Sequence, residues 1–388
     1  MLHALVYRTL QQTKPVTTVL QLQFYCQGFT SSSSNPNTSL TLEYLMNSCG
    51  LPLQTALMAS KKLNLKSTEN PDLVLTLLKN SGLTQNAITK LISRLPTMLK
   101  ADVNKTIKPK IDFLTSLGVS GSRLVKIVTT DAQFLQRSLE NQIIPSINFI
   151  KKFTDTDEEF FTILNQPSRI FQIQLENVME PNIALLSDNG VPKHNIIKLF
   201  MLNPRTLASR NDRFRTIVEE IKEMGFDSRS PMFIQAIVSR SGMSKTRWEE
   251  RWALMHKLGF SHAESLSMFK KHPKGFVLSK ENVECRVKFF TVKQKFELSD
   301  IAKNPVILAL ALEKRIIPRC NVLEVLYSNG LIGSRNASSI TSALKLIEKK
   351  FVEKFVTKYQ DILPQIVSAY KSQIRLAELK EEDGIYKM

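Results

Sequence analysis

At 388 residues the chain is long enough to bury a sizeable core, and its 53 Lys and Arg against 35 Asp and Glu leave a formal net charge of +18. That excess favours a polyanion such as nucleic acid over an anionic membrane surface or an inert solvated face. No stretch approaches the roughly 18 uninterrupted apolar residues of a bilayer span, so no membrane span is expected. Cys26, Cys49, Cys285 and Cys320 form no CxxC pair, which argues against structural zinc and against a secreted disulfide framework.

The first 38 residues differ from the rest. Met1 to Thr41 holds no acidic residue, and it is rich in Ser and Thr, ending in Ser31 to Ser34. This is the composition of an organelle transit peptide. The apolar run Val16 to Tyr25 is broken by Thr and Gln and lacks a small-residue cleavage site, against a secretory signal.

Residues 39–370 read as one repeat domain. Three strings nearly copy one another: Leu139 to Pro145, Leu175 to Pro181 and Leu312 to Pro318. In phase with them, Gly82, Gly118, Gly190, Gly225, Gly259 and Gly330 each follow an apolar residue four positions earlier, with Phe153 and Thr291 at two missing steps. Gly50 marks a first, degenerate unit. Glycine just past an apolar-periodic run is a helix stop, because it enters the left-handed C′ conformation without strain. Fourteen residues after most steps stands Pro96, Pro167, Pro204, Pro273 or Pro305, with Asp131 at the equivalent place in the second unit.

Each unit of about 35 residues is therefore expected to hold two helices and a short Pro-x-x-apolar turn. Its buried apolar positions are Ile92, Ile127, Ile163, Phe200, Phe269 and Ile301 before the proline, and Leu99, Phe134, Ile170, Leu207, Phe276 and Leu308 after it. The next long helix should start near Pro109, Pro145, Pro181 or Pro318, where proline suits the first turn. A lone unit cannot bury its apolar face, so neighbours must stack. The fold expected is all-α: a right-handed-stacked α-solenoid of about eight repeats forming a curved superhelix, with a charged tail over 371–388.

The punctuation, Leu-x3-Gly and then Pro-x-x-Leu, resembles the mitochondrial transcription termination factor (mTERF) family. Met243 to Glu249, Lys257 to Ser261, Phe269 to Pro273 and Leu312 to Arg319 are similar to its plant organellar branch, as is Tyr44 to Gly50. The resemblance covers roughly residues 42 to 370. It implies an organellar protein that binds DNA in transcription termination or RNA in transcript processing and intron splicing. A mitochondrial matrix location follows, with the chloroplast as the alternative. Other organelle gene-expression proteins are possible partners, and a monomer is expected.

Residues 240–295 carry thirteen Lys or Arg against five Glu, the densest broad basic region. The candidate nucleic-acid contacts are Lys245, Arg247 and Arg251, then Lys270, Lys271 and Lys274 around Pro273, and Lys314, Arg315 and Arg319 in the family-like string. Each has a structural alternative. Cations suit a helix C-terminus, and Lys314, Arg315 and Arg319 could instead pair with Glu313. Trp248 and Trp252, one turn apart, read as core rather than base-stacking platforms. His256, His262 and His272 are too irregularly spaced for a metal site. No phosphate-binding or nucleophile motif occurs, so neither enzyme nor cofactor is expected. The competing reading is a protein-binding solenoid that scaffolds an organelle ribonucleoprotein without touching nucleic acid.

Overall fold

The structure is a computed structural model that describes residues 36–166, 171 and 173–371. The transit segment up to residue 35, Pro167 and Ile170, and the charged tail beyond 371 lie outside the described residues. The described residues contain helices and turns and no strand. They fall into two compact units that divide between Leu175 and Glu176.

Helices come in consecutive pairs. In the first unit these are α1 (Pro36–Asn47) with α2 (Leu53–Ser60), α3 (Glu69–Asn80) with α4 (Gln85–Arg94), α5 (Lys108–Ser116) with α6 (Gly121–Thr130), and α7 (Ile144–Phe153) with α8 (Asp157–Leu164). The second unit opens with α9 (Leu175–Asp188) and α10 (Lys193–Leu202), followed by the single turn α11 (Pro204–Leu207). Then come α12 (Asn211–Glu223) with α13 (Pro231–Ser241), α14 (Lys245–Lys257) with α15 (His262–Lys271), α16 (Lys280–Lys288) with α17 (Leu298–Lys303), and α18 (Ile317–Ser328) with α19 (Ala337–Lys345). α20 (Glu348–Phe351) and α21 (Gln365–Lys371) follow, and α21 packs back on α18. Second helices stack on one another: α2, α4 and α6 in the first unit, and α10, α13, α15 and α17 in the second.

The Leu-x3-Gly punctuation is a helix-stop motif. At Gly82 (φ 90°) the N–H of Leu83 donates to the Leu78 carbonyl, and the same six-to-one bond joins Val119 to Leu114, Val191 to Leu186, Phe260 to Met255 and Leu331 to Leu326. These bonds satisfy carbonyls that the helix end would otherwise orphan, and all the paired apolar side chains but the half-buried Leu331 are buried. The closing turns follow as tight three-residue-per-turn segments at Pro96–Lys100, Ala132–Gln136, Pro273–Val277 and Pro305–Ala309. Leu99, Phe134, Leu207, Phe276 and Leu308 are buried beneath them.

Three expectations need correction. Asp131 does not occupy the proline step: it is the extended residue that ends α6 (φ −119°, ψ 86°), matching Leu95, and Ala132 opens the turn as Pro96 does. Thr291 is not the missing glycine step. A wide turn over Phe289–Lys293 lengthens that helix, and Lys295 takes the left-handed conformation (φ 59°), with Phe296 N–H donating to the Phe290 carbonyl. Pro181 does not start a helix but lies inside α9. Pro109, Pro145 and Pro318 do stand in first turns. Each is preceded by a wide five-residue turn, at Val103–Ile107, Leu139–Ile143 and Leu312–Ile316. A wide turn spreads the carbonyls that proline can neither bond nor fit against, so the helical path continues through it.

Candidate nucleic-acid interface

A first helix and its repeat's closing turn are tied by one recurring contact. A donor side chain on the first helix, or on the wide turn before it, reaches main-chain carbonyls at the end of the closing turn or, where there is none, of the second helix. In the first unit Asn70 donates to Leu99 and Ala101 at 2.9 and 3.1 Å, Lys110 to Leu135 at 2.6 Å, and Gln142 to Phe171 at 2.6 Å. In the second, Asn182 serves Leu207 and Ser209, Arg213 serves Ser241 and Met243, Arg251 serves Leu278, and Arg286 serves Leu310. In the last pair Arg315 serves Leu344, Lys345 and Leu346, while Arg319 serves Ala343, Leu344 and Leu346. Buried carbonyls at a turn end demand donors, and Arg, Lys, Asn and Gln can each supply them across that gap.

This contact reassigns part of the predicted site. Arg319 is 1% exposed: its Nη2 pairs with Glu348 at 2.9 Å and its guanidinium lies 4.5 Å from the Phe351 ring centroid. Arg251 is also buried, and burial, then the neighbouring Arg247 cation, lowers its pKa from the usual arginine value. Burial, then Arg319, lowers that of Arg315 likewise. Lys271 reaches the Ala302 and Lys303 carbonyls at the end of α17, at 3.4 and 3.3 Å. Arg94 does the same to Thr129 at 2.7 Å, so both cations staple the end of one second helix to the end of the next. Lys270 Nζ lies 2.9 Å from where a Cβ on Gly225 would stand, over the end of α12. Arg251, Arg315, Arg319 and Lys271 are thus occupied by the protein's own backbone, which removes them as free contacts for phosphate.

The remaining four are exposed. Lys245 stands 4.0 Å from Glu249 on the same helix face, a loose surface pair of little weight. Arg247, Lys274 and Lys314 are exposed, and no hydrogen bond or ion pair of their side chains is present among the described residues. The structure does not gather all nine into one cluster. Trp248 is core, packed edge-on against Phe269, whereas Trp252 sits at the margin with its ring 5.4 Å from that of exposed His262. Among the described residues no group of His, Cys, Asp and Glu could hold a metal ion. No helix there is long and apolar enough to cross a membrane.

A second charge pattern escaped the sequence reading. The second helices α4, α6, α10, α13 and α19 contain no carboxylate, and those of α15 and α17 are the capping residues Glu264 and Asp300. Only α8 departs, with Asp157, Glu158 and Glu159 in its first turn. The same helices carry Lys90, Arg123, Lys126, Lys198, Lys270, Lys271, Lys303 and Lys345. Most first helices carry both signs, as in α12 with Asp212, Glu219, Glu220 and Glu223 beside Arg213, Arg215 and Lys222, whereas α1 and α9 carry acids alone and α7 carries only Lys151 and Lys152. The layer of second helices is therefore basic with few acids to neutralise it, the arrangement a polyanion requires.

The comparisons with known proteins agree with this architecture. The Arabidopsis thaliana protein "Transcription termination factor MTERF15, mitochondrial" is 21% identical over 240 residues, covering 53% of this chain and 53% of its own length. The chain thus spans about half the length of that relative. The family model described as mTERF matches residues 75–241 and 233–352, most of the helix pairs described above. Stacked helix pairs, most of them stopped by a left-handed turn and several closed by a short proline turn, and a family match across them, place this chain in the mTERF family.

Proposed function

We propose that this protein binds nucleic acid in the mitochondrion and regulates gene expression there, holding the sugar–phosphate backbone on its layer of second helices. The observation that carries this reading is the near absence of carboxylates from that layer, where exposed lysines stand without local counter-charge. Exposed Lys245 and Arg247 on α14, Lys274 in the turn after α15 and Lys314 in the wide turn before α18 add further cations. The segment before residue 39 serves as the mitochondrial address, in keeping with its composition and with the mitochondrial name of the relative. Phosphate contacts of this kind position a duplex or a strand without reading its sequence. Transcription termination is the process favoured by the relative's name.

The test is direct binding of the full chain to duplex DNA and single-stranded RNA of equal length, across a salt series. Submicromolar binding with a steep negative log–log salt slope is expected. The tighter ligand separates transcription from transcript processing. Binding to neither at low salt would sink the reading and promote the protein scaffold.

A further inference from the structure

Among the described residues one side chain is held in the left-handed region: Lys295, at φ 59°, whereas every other positive φ belongs to a glycine. Lys295 stands at the helix stop, where other repeats have Gly82, Gly118, Gly190 or Gly259, just before a buried apolar residue, here Phe296. The turn cannot relax around it. Phe296 N–H donates to the Phe290 carbonyl at 2.9 Å, and the two rings stack with centroids 5.2 Å apart. From the next repeat Arg335 donates to Gln294 Oε1 at 3.4 Å. An L side chain in this conformation crowds its own carbonyl, a strain that glycine escapes. Nothing inside the fold offsets that strain. Lys295 is exposed, and no hydrogen bond or ion pair of its side chain is present among the described residues. The carboxylates that follow it in sequence are engaged, since Glu297 and Asp300 cap α17 reciprocally, and Glu297 N–H donates to Asp300 at 3.1 Å. Arg335 is engaged too, paired with Glu324 at 3.3 Å. A strained conformation imposed by packing, whose side chain makes no internal contact, points to a contact made outside the fold.

We infer that Lys295 is a nucleic-acid contact, its ammonium presented at the entry to α17 to take one backbone phosphate. This rests on the nucleic-acid reading above and adds a named side chain to it. Lys295 lies two residues before Glu297, the cap of α17, and so at the rim of the second-helix layer of its unit. The turn is pinned by the Phe290–Phe296 stack on one side and by Arg335 on the other, so its main chain has little freedom left to lose on binding. Lysine suits the task, because a compact point charge on a flexible stem tolerates small changes in phosphate position. Glycine at this step would relieve the backbone and remove the charge together, so the fold and the ligand make opposite demands on one residue.

The experiment compares the full chain with Lys295→Gly, with Lys295→Arg and with Lys350→Ala, a control of equal charge loss at an exposed lysine. Affinity for duplex DNA and for single-stranded RNA is measured from about 50 to 300 mM salt. Thermal melts are followed by the fluorescence of Trp248 and Trp252, which share the second unit with Lys295. Lys295→Gly is expected to raise Tm by roughly 1–4 °C, because relief of the left-handed strain outweighs glycine's freer unfolded chain. It should also lose about 0.9 of log–log slope for duplex, or about 0.7 for a single strand. Lys295→Arg should keep the wild-type slope and Tm, and Lys350→Ala should keep the slope. A Tm no higher than wild type for Lys295→Gly would overturn the assignment, since the lysine would then support the fold itself. So would an unchanged slope for Lys295→Gly, or an equal loss in the control, with nucleic-acid binding intact. Failure of the wild type to bind would instead remove the underlying reading, and this contact with it.

Discussion

Arg319→Ala separates the two roles open to the family-like string. In the folded protein Nη1 of Arg319 donates to the carbonyls of Ala343, Leu344 and Leu346 at 3.2, 3.1 and 2.6 Å, and Nη2 to Glu348 at 2.9 Å. Truncation removes all four bonds but leaves each carbonyl one donor: Ala343 still accepts from the Leu346 N–H, and Arg315 still serves Leu344 and Leu346. The Glu348 side chain is 66% exposed and regains water, so its loss of partner costs little. Loss of the hydrogen bonds from this buried charged donor costs about 1.5–3 kcal/mol, and the vacated stem leaves Phe351 under-packed. Together these give about 2–4 kcal/mol, which for a unit of this size is a fall in Tm of roughly 4–16 °C. Trp248 and Trp252 both lie in the second unit, so a urea titration followed by their fluorescence reports on the right transition. Arg315→Ala/Arg319→Ala should cost more than the two single changes added, because each arginine backs up the other. An unchanged urea midpoint for Arg319→Ala with weaker duplex binding would refute the reasoning and return Arg319 to the nucleic-acid surface.

Other outcomes are equally specific. Arg247→Ala should leave stability within about 0.5 kcal/mol of wild type and lower the salt slope for duplex DNA by about 0.9, as filter binding across a salt series would read. Gly259→Ala should cost about 1–3 kcal/mol in urea melts, since φ is +93° and the new Cβ would stand 2.9 Å from Leu298 Cδ1. Burial, then the Lys274 cation, holds the His272 pKa below the ordinary imidazole value of 6.5. A group depressed in the folded state stabilises fully above its unfolded pKa, so Tm should fall as the pH drops below about 6.5 and level off past the folded pKa. His272→Gln should flatten that step in a pH series of melts.

The helix stops were readable because the signal is local: Leu78 and Gly82 set the left-handed turn between them, whatever surrounds them. Thr291 was misplaced because a wide turn changes the residue count without changing the hydrophobic pattern. The turn over Phe289–Lys293 moved the left-handed step from Thr291 to Lys295, a lysine that no glycine search would find. The predicted interface failed in part for a different reason. Charge density selected Arg251, and family likeness selected Arg315 and Arg319, but neither signal tells a phosphate donor from one aimed at a carbonyl about 24–31 residues away. A readable signal was passed over: once helix bounds are drawn, the want of Asp and Glu in α4, α6 and α10 is plain in the letters.

The unequal sharing of carboxylates between first and second helices has a kinetic consequence. Within the second unit, a layer with cations and few acids beside a layer of mixed sign creates an electric moment running from one layer to the other. A polyanion diffusing towards that unit then exerts a torque before any contact forms, turning its second helices towards it. Encounters would be productive from a wider range of starting orientations, and that advantage fades as ionic strength shortens the Debye length from about 30 Å at 0.01 M to about 8 Å at 0.15 M. The association rate would therefore fall with salt more steeply than the dissociation rate rises, with the arrangement of acids setting the rate as much as the number of lysines.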